Sequence, residues 1–120
     1  MSRQRPAPTT RVEQDAVQLT LYVAEPHVGD RRSRVDRMIR EAAAVGISGA
    51  TVIAAEQGFG RRHSHRPTFW HRADETPLTV IFIDQGERIA AFLEQIVRPS
   101  IPDVVAVTST VRTIRFGPSE

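Results

Sequence analysis

The chain has 120 residues, 40% of them apolar, and a formal net charge of +2; this is enough for one domain with a small core, and too little charge to mark a nucleic-acid protein by charge alone. It has no cysteine, which excludes a disulfide framework, a thiolate metal site and a cysteine nucleophile. All 16 basic residues are arginine, so lysine chemistry, whether a Schiff base or a P-loop lysine, is excluded as well.

Residues 1–16 are polar, contain Pro6 and Pro8, and are expected to form a disordered tail. They lack an apolar signal core, and no apolar run approaches the roughly 18 residues of a membrane span, so the expected location is the cytoplasm. Val17–Val23 alternates Val17, Leu19, Leu21 and Val23 against Gln18, Thr20 and Tyr22, a half-buried strand. Glu25–Gly29 reads as a loop and Asp30 as a helix N-cap. Val35, Met38, Ile39 and Ala42 then fall on one helical face, with Arg32, Asp36, Arg37 and Arg40 on the other. Gly46 fits just past the helix end, where a left-handed residue is wanted, and Gly49 is read as a second turn. Ala50–Gln57 is a second strand and Gly58–Thr76 a long loop. Leu78–Ile83 is a third strand, apolar on both faces. Asp84-Gln85-Gly86-Glu87 has the form of a capping box, and Ile89, Phe92, Leu93, Ile96 and Val97 form the stripe of a second helix, ended by Pro99 and Pro102. Val104–Ile114 is the last strand, with Val105, Val107, Ser109 and Val111 on one face. Residues 116–120 are a disordered tail or an edge extension.

The order β-α-β-β-α-β predicts an α+β, ferredoxin-like domain over 17–115: an antiparallel sheet with two helices on one face and a long loop between strands two and three. The other face of the sheet is too apolar for water.

The chemistry-bearing stretch is Val45–His65, VGISGATVIAAEQGFGRRHSH. Gly58 and Gly60 free the backbone on both sides of Phe59, and Arg61, Arg62 and His63 follow at once. Between Gln57 and Ala73 there are four arginines, three histidines and no acid. Such a loop can bring backbone N–H groups and guanidinium forks to an anion; the plainer reading is a strand end that turns and caps the core with Phe59. VGISGATV followed by GFGRRHSH resembles the helix–strand–loop signature of the PII signalling proteins. Gly58 follows Thr51 by seven positions, where those proteins have six; the longer spacing is similar to an uncharacterised bacterial PII-like family, a domain of unknown function. The resemblance implies a homotrimer, with the open sheet faces packed together. It also implies clefts between subunits that bind an adenine nucleotide or another small anion. Carried over by position, Thr51, Gly58, Phe59, Gly60 and Arg61 are ligand-binding candidates. Arg62 stands where the family usually has glutamine, and Arg112 near the end of the last strand is a further candidate. The loop 59–76 is the implied signalling element toward a target enzyme or membrane transporter. The family's second phosphate loop, rich in Gly, Asp and Lys, corresponds here to Arg98–Asp103, which contains no glycine and no lysine.

Phe69-Trp70 places two large aromatics in a polar loop, either tucked against the core or serving as an anchor for a partner protein. His63, His65 and His71 are an alternative metal-ligand set, as in the copper-tolerance trimers that share this architecture; as plain loop histidines they would be solvated, and more cationic below about pH 6.5. No Gly-x-Ser-x-Gly or His-Glu-x-x-His is present, so no enzyme is expected. Tyr22 and Phe82 do not form an RNA-recognition pattern, so no DNA or RNA partner is expected.

Overall fold

The computed structural model describes residues 9–26, 33–54, 59–61, 67–69, 75–102 and 104–118. The elements are β1 (Thr9–Pro26), α1 (Ser33–Ala44), β2 (Gly49–Ala54), β3 (Phe59–Arg61), β4 (Pro67–Phe69), β5 (Glu75–Asp84), α2 (Gly86–Phe92) and β6 (Val105–Pro118). Four strands form one sheet in the order β2-β5-β1-β6, every neighbouring pair antiparallel. β5 therefore lies between the two strands joined through α1, the split βαβ arrangement expected from the element order.

The period-2 pattern of β1 and β5 sorts the sheet into two faces. Leu19, Leu21, Val23, Leu78, Val80 and Phe82 point to the helices and are buried, together with Val35, Met38 and Ala42 of α1 and Ile89 and Phe92 of α2. The Phe82 and Phe92 rings meet edge to face, 4.7 Å between centroids. α2 continues through a π-helical turn, Leu93–Val97, into a last turn, Arg98–Ser100. Pro99 thus sits inside the helical segment rather than ending it. The widened turn lies directly ahead of it, and the Arg98 N–H bonds the Leu93 carbonyl; in a regular α-helix the Pro99 ring would meet the carbonyl four residues back.

Gly46 has φ +83°. Its N–H reaches the Ala43 carbonyl, and the Ile47 N–H reaches that of Ala42 at 2.9 Å, so α1 ends in the glycine cap expected for it. Gly49 is not a turn; it is the first residue of β2 and has no positive φ. The expected capping box is also absent. The N-cap of α2 is Gln85, without a side-chain cap bond. The buried Asp84 carboxylate instead accepts the backbone N–H of Ser48 at 3.0 Å and that of Gln85 at 2.6 Å. Sequence spacing cannot reveal this, because Ser48 lies 36 residues away.

The chain ends differ most from expectation. Thr9–Ala16, read as tail, extend β1, and Phe116–Pro118 extend β6, so the edge-extension alternative holds for that segment. Thr9↔Pro118 through Ala16↔Val111 pair antiparallel, while β5 reaches only to Val17↔Asp84. Beyond that point β1 and β6 run on as a two-stranded ribbon of about 27 Å at ordinary strand rise. The expected two-residue alternation is weak there, which is why the ribbon reads as tail. Removing the Asp84 acceptor, in Asp84→Ala, leaves two backbone donors without a partner and should cost about 1–3 kcal/mol; a urea-denaturation midpoint unchanged from wild type would refute that role.

Candidate functional site

β2 carries the chain from the Gly46 cap along one edge of the sheet toward residue 54. The segment expected as an open loop contains a short antiparallel pair instead. Phe59 is the register partner of Phe69, Gly60 of Thr68 and Arg61 of Pro67. Pro67 is tolerable there because it is the first residue of its strand, where a missing N–H costs no ladder bond in the interior. Of the candidate ligand residues, Phe59, Gly60 and Arg61 thus lie on β3, and the partner candidate Phe69 on β4. Gly58, Arg62, Trp70 and the histidine set His63, His65 and His71 lie outside the described residues. Among the described residues no group of three or more His, Asp or Glu side chains could hold a metal ion, and no helix is long and apolar enough to cross a membrane.

Thr51 is exposed on β2 and points to the helix-free face of the sheet, opposite Ile81. The register continues across that face as Thr51–Ile81–Thr20–Val107, and the next row reads Ile53–Thr79–Tyr22–Val105. Ile53 is 50% exposed and Val107 47%. The predicted apolar character of this second face is therefore present, and within one chain the face is uncovered at both edges.

Arg112 lies on β6, the opposite edge strand. Its guanidinium is 3.6 Å from a Glu13 carboxylate oxygen and 3.5 Å from one of Asp15. β5 and β1 separate Thr51 from Arg112, so one chain does not bring these two candidates together.

A second charged corner escaped the sequence reading. Arg88 donates to the Gly46 carbonyl at 3.0 Å, and the same nitrogen stands 3.9 Å from Asp84. With Ser48 donating its hydroxyl to the Ile83 carbonyl at 2.8 Å, this corner ties the α1–β2 turn to the β5–α2 junction. The available signal was an acid directly after the apolar run Val80–Ile83, followed four residues later by Arg88.

The sequence matches the family model of DUF190, an uncharacterized ACR family, over residues 16–113. No curated protein matches it. Among solved structures it is similar to CPII of Thiomonas intermedia K12, a nitrogen regulatory PII-like protein, in its form bound to ADP, AMP and acetate. That match has 15% identity and a TM-score of 0.60 over 87% of this chain and 93% of the other. A putative PII-like signaling protein of Thermus thermophilus is 17% identical, with a TM-score of 0.55 over 84% and 90%. CutA of Synechococcus elongatus PCC7942 is 16% identical, with a TM-score of 0.55 over 87% and 89%. Identities this low establish the shared fold and nothing finer. The family match spans most of the chain and the sheet order agrees with it: this protein belongs to the DUF190 family and has the ferredoxin-like fold of the PII-like proteins.

Proposed function

We propose that this protein is a regulator rather than an enzyme. It assembles as a homotrimer through the helix-free sheet face and binds a small anionic, nucleotide-like ligand in the clefts between subunits. It signals through the 59–76 loop to a target enzyme or membrane transporter. The observation that carries this reading is the open face itself. Tyr22, Ile53, Val105 and Val107 are exposed together on it, and their rows run to the edge strand that bears Thr51 and leads toward the hairpin. A second subunit on that face removes the apolar rows from water. It also offers a way for Thr51 and Arg61 of one subunit to share a cleft with Arg112 of another, which a single chain keeps apart.

CPII, of the same fold, is known in complex with ADP, AMP and acetate, which supports an adenine nucleotide as the first ligand to try. The cleft proposed here draws on Thr51, Gly58, Phe59, Gly60, Arg61, Arg62 and Arg112. Its cations are all guanidinium groups, which bind phosphate or carboxylate in a fork. The turn after α2 supplies no lysine, so the phosphate contacts fall to the arginines. Ligand contact at the loop root biases the loop toward one arrangement, and Phe69 and Trp70 then form the partner-binding part of that arrangement.

Two measurements test this reading. Wild-type protein should sediment as a three-chain species, and Val107→Glu as a single chain that keeps its helical signal, since the substituted residue is exposed in the monomer. Assembly that survives the charge would overturn packing through this face. In a thermal-shift and proteolysis panel of ATP, ADP, AMP, bicarbonate, Zn(II) and Cu(II), an adenine nucleotide at about 100 times its Kd should add about 2.7 kcal/mol of stability and slow cleavage within 59–76. A response to metal alone, abolished by His63→Ala/His65→Ala, would replace the nucleotide reading with the metal-binding one.

A further inference from the structure

At the root of the β1–β6 ribbon lies an open polar pocket of about 240 Å³ lined by Gln14, Ser48, Asp84, Arg88, Thr113 and Arg115. It lies at the α1–β2 turn and the β5–α2 junction. That is the end of β2 opposite to the one that leads to the hairpin, so it is separate from the cleft at the loop root. Its two carboxylates differ: one is buried and hydrogen-bonded, the other lies at the exposed rim. Asp84 accepts two backbone N–H groups, and the neighbouring Asp15 stands 3.5 Å from Arg112. Its two cations are not used up. Arg88 spends one nitrogen, Nη1, on the Gly46 carbonyl and, at 3.9 Å, on the Asp84 carboxylate, which leaves Nη2 and Nε for a ligand. Arg115 has no hydrogen bond or ion pair among the described residues. The lining therefore presents guanidinium N–H groups without acceptors, beside amide and hydroxyl groups, and its buried acid, Asp84, already accepts two main-chain donors. This is the chemistry that recognises an oxyanion.

The cavity also lies between the ribbon and the body of the domain. Gln14, Thr113 and Arg115 belong to the ribbon, whereas Ser48 and Arg88 belong to the body. A two-stranded ribbon is marginal in water, and the ion pairs along this one, Arg11–Glu13 and Arg112–Asp15, are exposed and stabilise it little.

We propose that this cavity binds a small oxyanion, a carboxylate or phosphate group, between Arg115 of β6 and Arg88 of α2, and that the bound ion clamps the ribbon to the body. The inference does not depend on the inter-subunit cleft. It is tested by hydrogen exchange and calorimetry on the full chain with acetate, succinate and inorganic phosphate, on wild type and on Arg115→Gln. The substitution removes an exposed side chain and leaves the core intact; Arg88→Gln is the second variant. At least one probe should bind and slow exchange of the 9–16 and 111–118 amides. Preference for succinate over phosphate, or the reverse, assigns the head group. Arg115→Gln should weaken binding about tenfold or more, the loss of a charge-assisted bond, and abolish the added protection. Binding unchanged in Arg115→Gln, protection confined to 59–76, or no binding of any probe would each overturn the proposal; of these only protection confined to 59–76 bears on the loop root, in whose favour it would count.

Discussion

The Asp84 carboxylate holds one corner of the molecule on which the remaining geometry depends. It is 8% exposed, and burying a charge is costly unless it is hydrogen-bonded. Here both oxygens are satisfied by main-chain donors, one from the turn after α1 and one from the entry to α2. That arrangement sets where β2 starts relative to β5. It brings Gly49 opposite Ile83 and, two residues on, Thr51 opposite Ile81. A slip of one residue would turn Thr51 and Ile53 to the helix side and Val52 to the open side. The placement of the residues leading to the hairpin thus follows from a buried acid at the far end of the strand.

β5 is the second constraint. It is hydrogen-bonded on both sides, to β2 and to β1, and its apolar residues run on both faces. Val80 and Phe82 are covered by the helices, while Ile81 and Ile83 lie half-buried on the open face. A sheet with helices on one side only leaves such a strand asymmetric: one face is a finished core, and the other holds apolar rows in contact with water. This asymmetry gives the open face its place in the functional reading. It also distinguishes the two candidate ligand regions, one at the edge of that face and one on the ribbon root, where the lining is polar and charged.

Much of the fold was legible because local patterns and burial agree. The alternation of Val17–Val23, the spacing of Val35, Met38 and Ala42, and the stripe Ile89–Val97 each mark a buried face with its own period. Gly46 was legible because a helix end needs a left-handed residue. The capping-box reading failed at Asp84 because a carboxylate takes the donors that the fold brings to it, and one of them came from Ser48. The ribbon was missed because residues 9–16 carry only Val12 and Ala16 as apolar residues among charged and polar ones; its strands exist because each pairs with the other, a partner about a hundred residues away. Arg112 was legible as a cation but not as one already paired with Glu13 and Asp15.

The sequence by itself determined the order of the four sheet strands and the two main helices, the two-faced sheet, the exclusion of cysteine and lysine chemistry, and the arginine-rich stretch that follows β2. These depend on composition and on periods of two or about four residues, which the chain carries locally. Only the tertiary structure decided which donors satisfy Asp84, how far β1 and β6 run on together, that Thr51 and Arg112 stand on opposite edges, and that Arg115 and Arg88 line one pocket. Each of these joins residues distant in sequence, and no local pattern encodes a distance between strands that the fold alone brings side by side.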